Sequence, residues 1–248
     1  MENKKRRFAV LTGGGDCPGL NAVIRAVVKT FLQNDCEVYG VINGFNGLVN
    51  DKLQLMDYAA VSGILPRGGT ILGTTNRDNP FKFAVEENGE LVYKDMRERV
   101  LENLQKYDIE ALVVIGGDGS FTGAMYLCEL GIPCVGIPGT IDNDISCTNY
   151  CIGFDTAANT AVECIDRLRD TMQSHERCSV VEVMGRHAGY LALYVGLAVG
   201  ATAVLVPETE YDFEAHVAEK IRQARLMGKT NFMIVVAEGA ASGIAVGE

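Results

Sequence analysis

A single rhythm runs through this 248-residue chain: a short β-branched run, a glycine-rich turn, then an amphipathic stretch of helical period. Strands are predicted at 8–13 (FAVLTG), 37–42, 111–117, 134–139, 178–185, 203–207 and 231–239. Helices are predicted near 19–32, 97–107, 120–130, 156–173, 187–198 and 213–227. Strands that are apolar throughout need cover on both faces, and helices between them supply it, so the pattern predicts a mainly parallel sheet. The fold class is therefore α/β, with ligands expected beyond the carboxyl ends of the strands. The polar stretch 74–96 interrupts the rhythm, and its Asn88-Gly89 pair reads as the turn of a loop or short hairpin. A second unit begins near 150, after the loop PGTIDND, giving domains 1–150 and 151–248.

Composition narrows the possible functions. The formal charge is -10, from 22 Lys+Arg against 32 Asp+Glu. So acidic a surface opposes nonspecific binding to nucleic acid or membranes, and leaves any phosphate site dependent on local arginines and backbone N–H groups. The start, MENKKRRF, is basic but lacks the apolar core of a signal peptide. The stretch 191–206 comes nearest to a membrane span, yet its glycines and the following Pro207 read as a helix and then a strand. The eight cysteines include no CxxC pair and read as reduced thiols of a cytosolic protein, with no metal cluster.

Four clusters carry chemistry. Thr12-Gly13-Gly14-Gly15-Asp16 follows the first strand and opens a helix, where glycine lets backbone N–H groups face phosphate oxygens; a tight strand–helix turn would also need it. Gly116-Gly117-Asp118-Gly119-Ser120 places a carboxylate at a strand end among glycines, suited to Mg²⁺ beside a triphosphate, the alternative being Asp118 as a helix N-cap. Pro138-Gly139-Thr140-Ile141-Asp142-Asn143-Asp144 concentrates acid that could take a proton from a hydroxyl, although Asx turns use the same residues. Finally, Arg177 and Arg186 bracket one strand, suiting two different phosphates or two surface ion pairs.

In this order and spacing the clusters resemble the phosphofructokinase family. GGGDCPGLNAVIR, ILGTTNR, GGDGS, PGTIDND, IGFDTAANTAVECIDRLRDT, SHER and VVEVMGR all look like its signatures, from about Phe8 to Glu238. The resemblance implies two Rossmann-like three-layer domains with mainly parallel sheets, the first for ATP and Mg²⁺ and the second for fructose 6-phosphate. It implies transfer of the γ-phosphate of Mg-ATP to the 1-hydroxyl of fructose 6-phosphate, by a cytoplasmic homo-oligomer, a tetramer in the family.

By the same resemblance, Gly14, Gly15, Arg77, Asp78, Gly117, Asp118, Gly119 and Ser120 would hold ATP, with Asp118 on the metal. Asp142 would be the general base, supported by Thr140 and Asp144, and Arg186 would neutralise charge on the transferred group. Ile141, Met184, Gly185 and Glu238 would complete the sugar side, and Arg177 would reach the 6-phosphate of a neighbouring subunit. His187 reads as packed or hydrogen-bonded, without a role.

Arg25, Lys29, Arg169 and Lys229 keep part of the family's basic effector set. Tyr58, Met227 and Thr202 depart from it, which implies altered effector control. Pyrophosphate-using relatives carry Asp and Lys where this chain has Gly119 and Gly139, so glycine at both positions is expected to leave room for ATP. Relatives also run on into a GHIQRGG-like segment, whereas this sequence stops at Glu248, so the second domain is expected to be incomplete. The competing readings are a pyrophosphate-dependent phosphotransferase, another kinase sharing GGDG, and a noncatalytic nucleotide-binding fragment.

Overall fold

The computed structural model describes residues 4–76, 78–87 and 89–241. The chain forms two compact units, Met1–Thr140 and Ile141–Glu248. The division therefore falls earlier than 150. The strand before the acidic loop runs through Thr140, while Asn143 ties the loop forward, by hydrogen bonds to Asn149 and Cys151.

In the first unit, β1 (Arg7–Thr12), β2 (Glu37–Val41), β6 (Ala111–Gly116) and β7 (Cys134–Thr140) are parallel. The short β3 (Leu53–Met56) adds antiparallel to β2, giving the run β3-β2-β1-β6-β7. Helices α1 (Leu20–Gln33), α2 (Phe45–Val49), α3 (Arg97–Lys106) and α4 (Asp118–Glu129) lie between the strands in sequence. A hairpin of β4 (Phe83–Glu87) and β5 (Glu90–Lys94) stands apart from this sheet, as expected for 74–96, although Asn88 itself lies outside the described residues. β1 and β6 are buried from their second residue onward, which is why they read as unbroken apolar runs. Chain direction also matters. From β1 the chain steps outward to β2, whereas from β6 it steps the other way to β7, so the order reverses between β1 and β6. A crevice at such a reversal is where open α/β sheets bind ligands.

In the second unit a two-residue strand β8 (Ile152–Gly153) leads into α5 (Phe154–Ser174), followed by β9 (Cys178–Val183), α6 (Tyr190–Ala198) and β10 (Ala203–Leu205). A π-helical turn over Glu214–Ala218 runs into α7 (Glu219–Leu226), then β11 (Phe232–Ala237) and the short α8 (Glu238–Ala241). The order β10-β11-β9 is parallel throughout, and central β11 is buried along its whole length. Phe154, Ile165, Val195 and Val235 are nearly or fully inaccessible in this unit's core. Among the described residues no helix is long and apolar enough to cross a membrane, and residues 191–206 form α6 and β10 as expected.

One buried polar residue joins two helices of the first unit. Asn103 of α3 donates from Nδ2 to the carbonyls of Leu48 (2.7 Å) and Val49 (3.1 Å), the last residues of α2. A helix of five residues cannot satisfy its own terminal carbonyls, so Asn103 does this in a water-excluded place. Asn103→Leu is expected to lower stability by about 1–3 kcal/mol, the cost of leaving buried acceptors unpaired. Urea unfolding should show this as a lower midpoint with an unchanged slope.

Candidate active site

The first two glycine turns leave the adjacent ends of β1 and β6, on either side of the order reversal. They nearly touch. A Cβ on Gly116 would lie 2.6 Å from the Gly13 carbonyl oxygen and 2.5 Å from Ser120 Oγ, and one on Gly13 would lie 2.7 Å from the same hydroxyl oxygen. Ser120 is buried between them. Gly14 has φ +80°, which glycine alone adopts freely, and Gly15 is exposed with open space at its Cβ position.

The segment before Arg77 is fastened to the first turn. Thr12 Oγ1 meets Thr70 Oγ1 (3.0 Å) and donates to the Gly73 carbonyl (2.9 Å). Thr74 Oγ1 donates to the Gly14 carbonyl (2.7 Å), and Gly14 N–H donates to that of Thr75 (3.1 Å). Buried Asn21 donates to the Arg67 carbonyl and accepts from Ile71 N–H (2.9 and 2.8 Å). Arg77 lies outside the described residues, and Asp78 is half-buried. The sequence marks GGGDCPGLNAVIR and ILGTTNR as separate motifs and does not show that Thr12, Asn21 and Thr74 tie their segments together. Polar residues at the end of an apolar strand and at a helix start were the available signal.

Asp118 is not an N-cap. Gly117 takes that position in extended conformation (φ -96°), and α4 begins at Asp118, two residues earlier than expected. Ser120 N–H and Phe121 N–H both donate to the Gly117 carbonyl. The amides of Asp118 and Gly119 thus precede the first intrahelical bond and sit at the positive end of a 12-residue helix. The Asp118 side chain is exposed beside them. An exposed carboxylate next to amides at the positive end of a helix is a donor set that would suit Mg²⁺ beside a phosphate, since Mg²⁺ takes one or two carboxylates and keeps phosphate and water as its remaining ligands.

The two glycines expected to distinguish the phosphate donor are not equivalent. Gly119 has nothing within 4 Å of its Cβ position, as expected of a residue that leaves room. Gly139 does not share this. Its Cβ position faces Leu20 Cδ2 (3.2 Å), Ile115 Cγ2 (3.3 Å) and Cys17 Sγ (3.6 Å), so a side chain there would meet packed core rather than ligand space. The expectation that both positions open onto free space therefore fails at Gly139, while Gly119 does have open space at its Cβ position.

In the acidic loop Ile141, Asp142 and Thr140 are half-buried and Asp144 is exposed. Asn143 between the carboxylates has φ 54°. Burial pushes the Cys151 thiol above its ordinary value, and the nearby Asp144 and Asp142 charges add to this.

Around β9 the second unit builds a different turn. Glu238 Oε2 accepts from Arg186 N–H (2.9 Å) and Gly185 N–H (3.3 Å), while Glu208 accepts from Gly189 N–H (2.7 Å). Glu238 thus shapes the Gly185–Arg186 turn itself. Met184 and Arg186 are exposed, and so is His187, which has no hydrogen bond among the described residues, contrary to the expectation of a packed or hydrogen-bonded histidine. Arg177 precedes β9, so six strand residues separate it from the turn, about 20 Å at 3.3 Å per residue. The two arginines cannot grip one phosphate from a single protomer.

Of the expected effector residues, Arg25 and Lys29 share α1, where Arg25 donates to the Val61 carbonyl. In the second unit Arg169 donates to the Val199 carbonyl (2.7 Å) and Lys229 to Thr202 Oγ1 (3.3 Å), both at the turn that follows α6.

The phosphofructokinase family profile matches residues 7–247. The ATP-dependent 6-phosphofructokinase of Bacillus pumilus is 51% identical over 243 residues, covering 98% of this chain and 72% of that one. The Bacillus subtilis enzyme of the same name is 49% identical over the same span. A phosphofructokinase structure from Saccharomyces cerevisiae superposes with TM-score 0.82 at 38% identity, covering 95% of this chain and 34% of that chain. A pyrophosphate-dependent phosphofructokinase from Marinobacter aquaeolei, at 24% identity and TM-score 0.74, covers 95% of this chain and 61% of that one and shares the fold.

The glycine turns can be tested directly. Gly116→Ala is expected to cost about 1–3 kcal/mol, because its methyl must displace the Gly13 backbone and a buried hydroxyl. Gly119→Ala, in open space on an exposed first helical turn, should leave stability unchanged or slightly raised. Thermal unfolding of the two variants checks the contrast.

Proposed function

The chain belongs to the phosphofructokinase family, and from that premise we propose that it transfers the γ-phosphate of ATP to the 1-hydroxyl of fructose 6-phosphate, giving fructose 1,6-bisphosphate and ADP. The observation that carries the reading is the meeting of two glycine turns at the strand-order reversal, with Asp118 and the α4 amides beside them. Gly119 supports ATP rather than pyrophosphate, since the space at its Cβ position is open for the rest of a nucleotide.

The roles divide by residue chemistry. Gly14, Gly15, Gly117, Gly119 and Ser120 serve the triphosphate, and Asp118 holds Mg²⁺, which offsets charge on the phosphate oxygens when bound. Asp142 takes the proton from the 1-hydroxyl as its oxygen attacks the γ-phosphorus. The bond from that phosphorus to the β–γ bridging oxygen breaks, and ADP leaves with the electron pair. Thr140 and Asp144 hold the acceptor loop, and Arg186 opposes the charge that builds on the phosphoryl oxygens. Ile141, Met184, Gly185 and Glu238 line the sugar side. Arg177, too far along β9 to share that phosphate, serves the 6-phosphate of a neighbouring protomer, which makes the active form a homo-oligomer, a tetramer by family. The setting is cytoplasmic. Arg25, Lys29, Arg169 and Lys229 form a reduced effector set. Because Tyr58, Met227 and Thr202 depart from the family's effector set, ADP is expected to activate weakly, and strong activation in a nucleotide titration would refute this.

Phosphorus NMR with fructose 6-phosphate, Mg²⁺ and either ATP or pyrophosphate tests the main reading. Fructose 1,6-bisphosphate is expected from ATP alone; formation from pyrophosphate alone would overturn the donor assignment. Asp142→Asn should lower kcat by about 10²–10⁴-fold, the usual worth of a positioned general base, with little change in KM for ATP.

A further inference from the structure

We propose that Asn143 is a positioning residue for the reaction, holding the acidic loop in place through a two-ended clamp on the backbone of Asn149 and Cys151. The proposal rests on the reading of Asp142 as general base.

Asn143 stands between Asp142 and Asp144 in the left-handed region, at φ 54°. L-residues mostly avoid this region, Asn and Asp being the usual exceptions besides achiral glycine. Its carboxamide is used at both ends. Oδ1 accepts from Cys151 N–H (2.8 Å), and Nδ2 donates to the Asn149 carbonyl (3.2 Å). One anchor of this clamp, Cys151, is buried. Cys151 is 4% exposed, and Phe154, three residues on and 2% exposed, starts α5. Within the closed loop Thr148 donates to the Tyr150 carbonyl (3.0 Å), and Thr148 N–H donates to that of Ile145. Asp142 is therefore one residue away from a side chain fixed to the start of the core helix of its unit.

The clamp needs this particular residue. Glycine would accept the backbone angle but offer neither hydrogen bond. Aspartate could accept from Cys151 N–H but would turn a second acceptor toward the Asn149 carbonyl. It would also add a third negative charge beside Asp142 and Asp144, favouring the protonated base. A neutral carboxamide meets both requirements. The benefit is geometric: a general base acts only within hydrogen-bond reach of its proton, and small misplacements lose much of the rate.

The test compares Asn143→Gly, Asn143→Asp and Asp142→Asn with the unaltered chain. It measures kcat per folded molecule, KM for ATP, unfolding temperature, and hydrogen exchange of the Cys151 amide. Asn143→Gly is expected to lower kcat about a hundredfold with KM for ATP unchanged, and to deprotect the Cys151 amide. Asn143→Asp should keep that amide protected and fall between the two in kcat. Wild-type kcat in Asn143→Gly, or a lower unfolding temperature with unchanged kcat per folded molecule, would overturn the proposal. So would unchanged exchange at Cys151, which is read with or without turnover. Full activity of Asp142→Asn would instead remove the base assignment, a result distinct from failure of the clamp.

Discussion

The backbone contact between the turns after β1 and β6 governs the first unit. Gly13 N–H donates to the Ile115 carbonyl at 2.9 Å, so the first turn begins as a continuation of the sheet ladder. That bond brings the Gly13 carbonyl so close to Gly116 that no side chain fits between them. Ser120, one turn into α4, fills the remaining space from the helix side. Sheet pairing, turn conformation and helix start are thus one packing problem with one solution. The amides at the start of α4 are aimed by the same contacts that close the core, so they need no further rearrangement to meet an anion.

The second unit reaches a comparable result with carboxylates. Arg186 has φ 51°, which an L-residue rarely adopts, and Gly185 has φ 141°, which glycine tolerates; both N–H groups are held by Glu238, the residue after β11. Glu208, three residues beyond β10, accepts from Gly189 in the same way. The ends of all three parallel strands therefore converge on one turn, joined by charge-assisted hydrogen bonds, which are about twice as strong as neutral ones. Gly239 completes the packing, because a Cβ there would lie 2.2 Å from the Arg186 carbonyl oxygen. Glu238 is thereby part of the scaffold that presents Arg186.

Much of this was legible because buried parallel strands and glycine turns leave strong local signals. All seven predicted strands are present where the apolar runs place them, with every end within two residues. What escaped was short or nonlocal. β3 has four residues and α2 has five, too few to show a period, and α2 depends on Asn103, more than fifty positions away in sequence. The loop bonds of Thr12, Asn21 and Thr74 also span dozens of residues. Gly139 shows a different limit. Its sequence context suggests a ligand-facing glycine, but a strand alternates faces with period two, and this position faces Leu20 and Ile115.

The acidity of the chain sharpens the assignment of its arginines. With ten more acidic than basic residues, an exposed guanidinium readily finds a carboxylate. Arg6, Arg7, Arg97, Arg99, Arg167, Arg169 and Arg222 each do so. Arg177 and Arg186 form no ion pair among the described residues, nor do Arg25, Arg67 and Arg225, although Glu176 and Glu182 are close to the first two in sequence and Glu238 is close to Arg186 in space. For Arg186 the reason is visible: Glu238 is directed to the backbone N–H groups of the turn. A carboxylate spent on main-chain donors holds the arginine in position without pairing with its guanidinium. Arg186 is thus an exposed positive charge with no internal ion pair among the described residues, in a protein whose net charge is negative.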